Sequence, residues 1–150
     1  MAEMITKCNE MLGEKYHMFK HKSGLDVYVF PKKMTTSYAL FATRYGAVDN
    51  KFKLKGDSDF TCVPDGIAHF LEHKMFENEN GEDTFSRYAQ LGASANAYTS
   101  NTMTAYLFSC TENFYESLEI LIDFVTHPYF TDENVEKEQG IIGQEIRMYE

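Results

Sequence analysis

The sequence is poor in basic residues, in cysteine and in long apolar runs. It has 14 Lys and Arg against 23 Asp and Glu, a formal net charge of −9, which argues against nucleic acid as a partner. The three cysteines are widely spaced, odd in number and without a CxxC pair, so reduced thiols are favoured over a disulfide framework. No apolar stretch approaches the length of a transmembrane helix, and residues 1–13 lack the basic bias of a transit peptide. We therefore expect a cytoplasmic protein that binds neither nucleic acid nor membrane.

At 150 residues the chain has the length of one domain and can bury a hydrophobic core. Five segments have the composition and bounding turns of β-strands: 16–19, 25–30, 37–45, 93–99 and 102–109. The first two flank a turn and predict a hairpin, whereas residues 5–12 are interpreted as a short helix. The expected fold class is α+β: an antiparallel sheet of the N-terminal strands and the pair at 93–109, with helices packed on one face.

The most informative stretch is HFLEH at 69–73. Residues four apart lie on one face of a helix, so His69 and His73 would direct two imidazoles to one point, beside Glu72. A catalytic zinc needs three protein ligands and an open position for water, from which an adjacent carboxylate can take a proton. The order H-x-x-E-H is the reverse of the commoner H-E-x-x-H arrangement. The alternative is a pair of solvated histidines beside a surface glutamate.

The same helix carries apolar residues that predict its buried side: Ile67, Leu71 and Met75, spaced at i, i+4 and i+8. The metal site would then lie on the other side and line a cleft. Pro64 and Asp65 are expected to open the helix, because proline suits the first turn and a carboxylate there complements the helix dipole.

The last helix, expected from Thr131, carries two glutamates on its apolar face. Glu138 and Glu145 are seven residues apart and about 20° out of phase. A carboxylate on such a face is costly unless it is paired or bound to a metal. Helical phase cannot choose between the two as a ligand, and one or both could instead lie at the edge of the face and reach water. Gly140 and Gly143 would allow close approach of the helix that carries the histidines.

Three motifs occur in a fixed order: GIAHFLEH at 66–73, NAYT at 96–99 and EQGIIGQE at 138–145. In this order, and at close to this spacing, they resemble the peptidase family that includes pitrilysin, insulin-degrading enzyme and the β subunit of mitochondrial processing peptidase. With the preceding hairpin, the resemblance covers nearly the whole chain. The sequence is most similar to bacterial zinc proteases of this family.

The resemblance implies a zinc-dependent endopeptidase that hydrolyses extended peptides, with one Zn²⁺ per chain. His69 and His73 resemble the two zinc-binding histidines of the family. Glu145, which follows His73 by 145 − 73 = 72 positions, resembles the third ligand. Glu72 resembles the catalytic base that activates the zinc-bound water.

The resemblance also implies supporting roles for three further residues. Glu138 resembles an auxiliary acid seven residues before the third ligand, and such a carboxylate could hydrogen-bond and orient a ligating histidine. Asn96 and Ala97 correspond to an edge strand that pairs with the substrate backbone. An edge strand recognises an extended peptide through main-chain hydrogen bonds.

Family members are several times longer than this chain and consist of two or four related domains. The sequence ends at Glu150, five residues after Glu145 and without a helix-capping signal. We therefore expect residues 1–150 to be the zinc-bearing N-terminal part of one peptidase domain, with further domains absent and the isolated chain a weak enzyme. The expected partners are a peptide substrate and a homologous subunit or paralogue. Two alternatives are a non-catalytic scaffold subunit and a structural zinc domain, which would require four protein ligands.

Overall fold

The computed structural model describes residues 3–79 and 81–148, and the chain divides into two compact units, Met1–Thr35 and Thr36–Glu150. The first unit is an antiparallel sheet of β1 (Ile5–Asn9), β2 (Glu14–Lys20) and β3 (Asp26–Val29), in that order. The predicted hairpin of the second and third strands is confirmed. The short helix expected at 5–12 is wrong, because residues 5–9 pair with β2 and residues 10–12 belong to the turn between the two strands. So short a helix is marginal alone, whereas the edge of β2 offers it a hydrogen-bonded ladder.

The second unit holds the remaining elements: β4 (Ser37–Thr43), β5 (Lys51–Phe52), β6 (Thr61–Cys62), α1 (Ile67–Lys74), α2 (Thr84–Gln90), β7 (Ser94–Thr99), β8 (Thr104–Cys110), α3 (Phe114–Thr126) and α4 (Asp132–Met148). Its main sheet is antiparallel with the order β4-β8-β7, and β5 pairs with β6 alone. The α+β class is confirmed. The predicted strand at 37–45 joins β8 as β4, but β2 and β3 form a separate sheet with β1 instead of joining β7 and β8. The end of the chain at Tyr149 and Glu150 lies outside the described residues.

Alternation along the central strand β8 determines which face of the sheet the helices cover. Tyr106, Phe108 and Cys110 are buried and pack with Leu121 and Phe124 of α3. Their partners on both neighbouring strands join the same core: Ala39, Phe41, Ala95 and Ala97. The helices therefore cover one face, as expected from a strand with a period of two. Among the described residues, no helix has the length and apolar character that a bilayer crossing would need.

β7 forms an edge of the main sheet, and its outward hydrogen-bonding groups can be assigned. Ser100 donates its N–H to the carbonyl of Met103 at 2.8 Å and closes the turn into β8. Because hydrogen-bonded and non-bonded pairs alternate in an antiparallel ladder, the N–H groups of Thr99 and Ala97 point away from β8. The N–H of Ala97 donates to Oδ1 of Asn96 at 2.9 Å.

The turn between β7 and β8 is held against the segment that follows β4. Ala47 donates its N–H to the carbonyl of Ser100 at 2.9 Å, and Val48 donates to that of Asn101 at 3.0 Å. This approach requires glycine at position 46: a Cβ on Gly46 would lie 2.5 Å from both Ser100 O and Met103 N. The end of the β7–β8 hairpin is thereby fixed by backbone contact.

Candidate metal centre

Helix α1 presents the two histidines. It begins after Gly66, whose φ of 84° favours glycine, and the carbonyl of Gly66 accepts the N–H of Phe70 at 3.0 Å. The expectation that Pro64 and Asp65 open the helix is therefore wrong: both precede this cap. His69 and His73 lie one turn apart, with their Nε2 atoms separated by 3.2 Å.

The buried side of α1 differs from the predicted one. The buried positions are Ala68, Glu72 and Lys74, whereas the predicted apolar stripe is only half-buried. The reason is that α1 packs against both β7 and α4, so that its polar side is also covered. Lys74 is fully buried; its Nζ donates to the carbonyl of Asn134 at 3.2 Å and pairs with Glu77 at 3.1 Å.

Helix α4 begins at a reciprocal cap, one residue from the predicted start. The N–H of Asn134 donates to Oγ1 of Thr131 at 3.2 Å, and the N–H of Thr131 donates to Oδ1 of Asn134 at 3.0 Å. The predicted close approach at Gly140 and Gly143 is wrong, since a Cβ at either position would meet no atom within 4 Å. α4 instead contacts α1 through buried Asn134 and Glu138.

Glu138 is buried, with 6% of its surface exposed, so the alternative in which it reaches water is wrong. Its Oε1 lies 2.8 Å from Nδ1 of His73. An ionised carboxylate only accepts hydrogen bonds, so the histidine donates from Nδ1–H. A neutral imidazole protonated at Nδ1 keeps its lone pair on Nε2, the atom that faces His69.

Glu145 lies beside both histidine Nε2 atoms. Its Oε2 is 3.7 Å from Nε2 of His69, and its Oε1 is 3.9 Å from Nε2 of His73. One ligand atom from each of the three residues lies within 4.8 Å of the other two. The structure thus brings His69, His73 and Glu145 together, with Glu138 on the opposite side of the His73 ring.

This donor set fits a zinc ion. Two nitrogens bound to one tetrahedral zinc at 2.0–2.1 Å lie about 3.3 Å apart, close to the 3.2 Å between the two Nε2 atoms. Two imidazoles and a carboxylate are the ligand types of a catalytic zinc with three protein ligands. The side chains of His69 and Glu145 are 43% and 39% exposed, so the group is open to solvent on one side.

Glu72 does not belong to this donor group and is held from the other direction. Its Oε2 accepts a hydrogen bond of 2.6 Å from Oγ1 of Thr99 on β7. Burial raises the pKa of Tyr106, the β8 partner of Ala97, and the charge of Glu72 raises it further, so this phenol stays neutral. Sequence reasoning did not single out Thr99. Its signal is a hydroxyl at the inward register of a strand whose other inward residues are alanines.

Asn96 and Ala97 lie on β7, the strand at the edge of the main sheet next to α1. The side chain of Ala97 faces the helices, whereas Asn96 occupies the opposite register and is exposed. The predicted strand and its edge position agree with the structure, and the proposed pairing with substrate stays a prediction.

Comparison with known proteins gives consistent matches. The family model described as Insulinase (Peptidase family M16) matches residues 63–150. The zinc protease YmfH of Bacillus subtilis (strain 168), described as uncharacterized, is 57% identical over 142 residues, which cover 94% of this chain and 33% of YmfH. The β subunit of the mitochondrial processing peptidase of Caenorhabditis elegans is 34% identical over 85 residues, covering 54% of this chain and 19% of that subunit. The chain thus spans about a third of the length of its bacterial relative.

Solved structures match over nearly the whole chain. The crystal structure of an M16-like peptidase from Alicyclobacillus acidocaldarius matches with a TM-score of 0.84 and 48% identity, covering 89% of this chain and 31% of that one. Pitrilysin matches with a TM-score of 0.71 at 19% identity, over 91% of this chain and 14% of that one. The second likeness concerns the fold alone.

Proposed function

The chain belongs to peptidase family M16, the insulinase family, and from this premise we propose that it carries the catalytic zinc site of an endopeptidase acting on extended peptides. One observation carries the proposal: ligand atoms of His69, His73 and Glu145 converge within 4.8 Å of one another, next to a buried glutamate that is not among them. The names of its relatives, which include several zinc proteases, support the choice of metal.

In this proposal the two Nε2 atoms and the Glu145 carboxylate hold one zinc ion. When bound there, zinc supplies Lewis-acid chemistry, because it lowers the pKa of a coordinated water to about 7 and polarises a substrate carbonyl. Glu72 would accept a proton from the attacking water on its carboxylate and return it to the leaving amine. Glu138 holds the ring of His73 in the tautomer that leaves Nε2 available.

The edge strand β7 offers a binding site for the peptide backbone. The N–H groups of Ala97 and Thr99 face outward and can donate to the carbonyls of an added strand. Asn96, next to them, would release the N–H of Ala97 when a substrate pairs there. Main-chain pairing of this kind tolerates many side chains, which suits a peptidase acting on unfolded or extended peptides.

Because the chain spans about a third of its bacterial relative, the activity of the whole protein is also part of the proposal. We place the residues that clamp the substrate in further domains of a longer protein or in a homologous subunit. We also place the protein in the cytoplasm, a setting supported by free thiols at Cys8, Cys62 and Cys110.

The test uses the full-length protein, with zinc content measured by elemental analysis and turnover measured on an unstructured quenched-fluorescence peptide. Glu72→Gln should retain one zinc and lose about 10²–10⁴-fold in kcat, because it removes the proton acceptor and no ligand. Glu136→Gln, the same change at an exposed position of α4, should match the wild type in both measurements. Substantial turnover by Glu72→Gln would contradict the base assignment. A wild-type protein that binds zinc without cleaving any peptide would favour the scaffold subunit.

A further inference from the structure

Thr99 is the residue whose hydroxyl contacts the side chain of Glu72. We propose that Thr99 is a positioning residue for Glu72: its hydroxyl holds one carboxylate oxygen so that the other faces the reacting water. This inference rests on the proposed function, in which Glu72 is the base.

The carboxylate of Glu72 is buried and requires a hydrogen-bond donor. Glu72 is 8% exposed, and an ionised carboxylate in such a place needs a hydrogen-bond donor. The Thr99 hydroxyl provides one at 2.6 Å, within the range of 2.5–2.7 Å typical of an O–H group donating to a carboxylate. Such charge-assisted bonds are roughly twice as strong as neutral ones. The bond therefore both compensates the burial of the charge and restricts the rotation of the carboxylate.

The hydroxyl groups of Thr99 and Thr104 each have one proton to donate. Thr104 lies across the β7–β8 ladder from Thr99, with their hydroxyl oxygens 3.4 Å apart. Thr104 is buried and donates its only hydroxyl proton to the carbonyl of Tyr45 at 2.9 Å. It cannot donate to Thr99 as well, and the shorter contact of Thr99 is the one to Glu72. The direction of the bond is thus set by the surroundings of Thr99.

Thr99 also lies at a position suited to holding Glu72. The bond is made to Oε2 of Glu72, and in this proposal the proton is exchanged at Oε1. Thr99 ends β7, two residues after Ala97 and next to a turn that backbone contacts fix against residues 46–48. A donor on so fixed an element can hold the base within the narrow limits that catalysis requires.

The test is made in the full-length enzyme with Thr99→Val, which removes the hydroxyl at nearly constant volume, and Thr99→Ser, which keeps it. Thr99→Val should retain one zinc and lower kcat about 10–100-fold with KM little changed, because a hydrogen bond to a charged group is lost. Thr99→Ser should recover most of kcat. Thr102→Val, the same change at an exposed position of the adjoining turn, should behave as wild type.

A second measurement does not depend on activity. In zinc-free protein, Thr99→Val should lower the melting temperature in the wild-type background and have little effect in Glu72→Leu, where no carboxylate remains to be held. Equal losses in both backgrounds would overturn the proposal. An increase in KM in both Thr99→Val and Thr99→Ser would also overturn the proposal, because that pattern indicates displacement of β7.

The outcomes also separate the two proposals. Wild-type enzyme that cleaves peptides while Thr99→Val keeps full kcat overturns the role of Thr99 and leaves the proposed function standing. Wild-type protein without metal-dependent cleavage overturns the proposed function and the role of Thr99 with it. Reduced kcat, normal zinc content and rescue by serine support both.

Discussion

At the scale of single residues, Glu138 and Glu145 of α4 are expected to differ in how they contribute to zinc binding. Glu145→Gln should weaken zinc binding severely, because an amide replaces the ligating carboxylate. Glu138→Gln should weaken it only about 10–100-fold, the usual cost of losing a group that orients a ligating histidine. Zinc affinity is measured by competition with a chromophoric chelator, with Glu136→Gln as the matched control on the same helix.

The opposite assignment would have a clear signature. A zinc-bound structure with the ion about 2 Å from a Glu138 oxygen and with Glu145 turned to solvent would reverse the two roles. An affinity that falls more in Glu138→Gln than in Glu145→Gln would point the same way.

Tyr88 allows a test of stability and of its pH dependence. It is 1% exposed, and its buried hydroxyl has no hydrogen-bond partner among the described residues. Burial raises the pKa of Tyr88, an effect that the charge of Arg87 partly offsets. At pH 7 the free energy of unfolding of Tyr88→Phe should therefore equal that of the wild type or exceed it by up to about 1 kcal/mol.

The advantage of Tyr88→Phe should grow above about pH 10, where the unfolded tyrosine ionises while the folded one stays neutral. The stability contributed by a raised folded-state pKa is fully present below the unfolded pKa and is lost as the pH rises past it. Urea unfolding at both pH values measures the difference. Tyr115→Phe is the control: its side chain is 77% exposed, so its stability should change little at either pH. A large loss of stability in Tyr88→Phe at pH 7 would contradict the prediction, because it would reveal a hydrogen-bond partner of the Tyr88 hydroxyl.

Some residues of the candidate metal centre could be identified from the sequence, and others could not. The histidine pair is predictable because four-residue spacing on one helix is local geometry. The contact of Thr99 with Glu72 joins residues 27 positions apart, and the burial of Glu138 and Lys74 depends on what packs against each helix. Sequence periodicity contains neither kind of information.

At the scale of elements, the turn between β7 and β8 should be sensitive to Gly46. Gly46→Ala places a methyl group 2.5 Å from backbone atoms of the turn, which cannot move aside as a side chain could. We expect a loss of about 1–3 kcal/mol, the usual cost of overpacking, measured by urea unfolding. Gly140→Ala is the matched control: open space surrounds that helical position, and alanine should stabilise it by about 1 kcal/mol. Equal stability of Gly46→Ala and the wild type would show that the turn can separate from residues 46–48.

Element types and the pairing within a hairpin were predictable where local signals agreed, and pairing between distant strands was not. The hairpin and the start of α4 follow from turn residues, alternation and caps, whereas the edge strand was implied by the family resemblance. Residues 5–9 form a strand because β2 lies beside them, a fact that no local pattern carries. For the same reason, the separation of β1, β2 and β3 into their own sheet could not be foreseen.

At the scale of the whole molecule, zinc should act as a stabilising ligand. A ligand bound only by the folded state at 100 times its Kd adds about 2.7 kcal/mol to the free energy of unfolding. Chelation should therefore lower Tm, and added zinc should restore it. Glu145→Gln at the same zinc concentration should show a much smaller shift. A wild-type Tm that is independent of zinc would argue against binding at this site.

The family was predictable from the order and spacing of three motifs, and the family match confirms it. The motifs succeed because the three residues of the candidate metal group come from two helices whose separation in sequence is set by the elements between them. These motifs do not predict a particular substrate, because an edge strand would pair with the backbone groups that all peptides share.

The bond between Asn96 and the outward N–H of Ala97 has a consequence for solubility. An uncovered edge strand such as β7 is also a template on which copies of the protein could aggregate. An N–H group already bonded to a neighbouring carboxamide offers less to a chance encounter, while a peptide held at several points can displace the carboxamide. We therefore expect Asn96→Ala to make concentrated solutions of the protein more prone to precipitate, as measured by light scattering against the wild type.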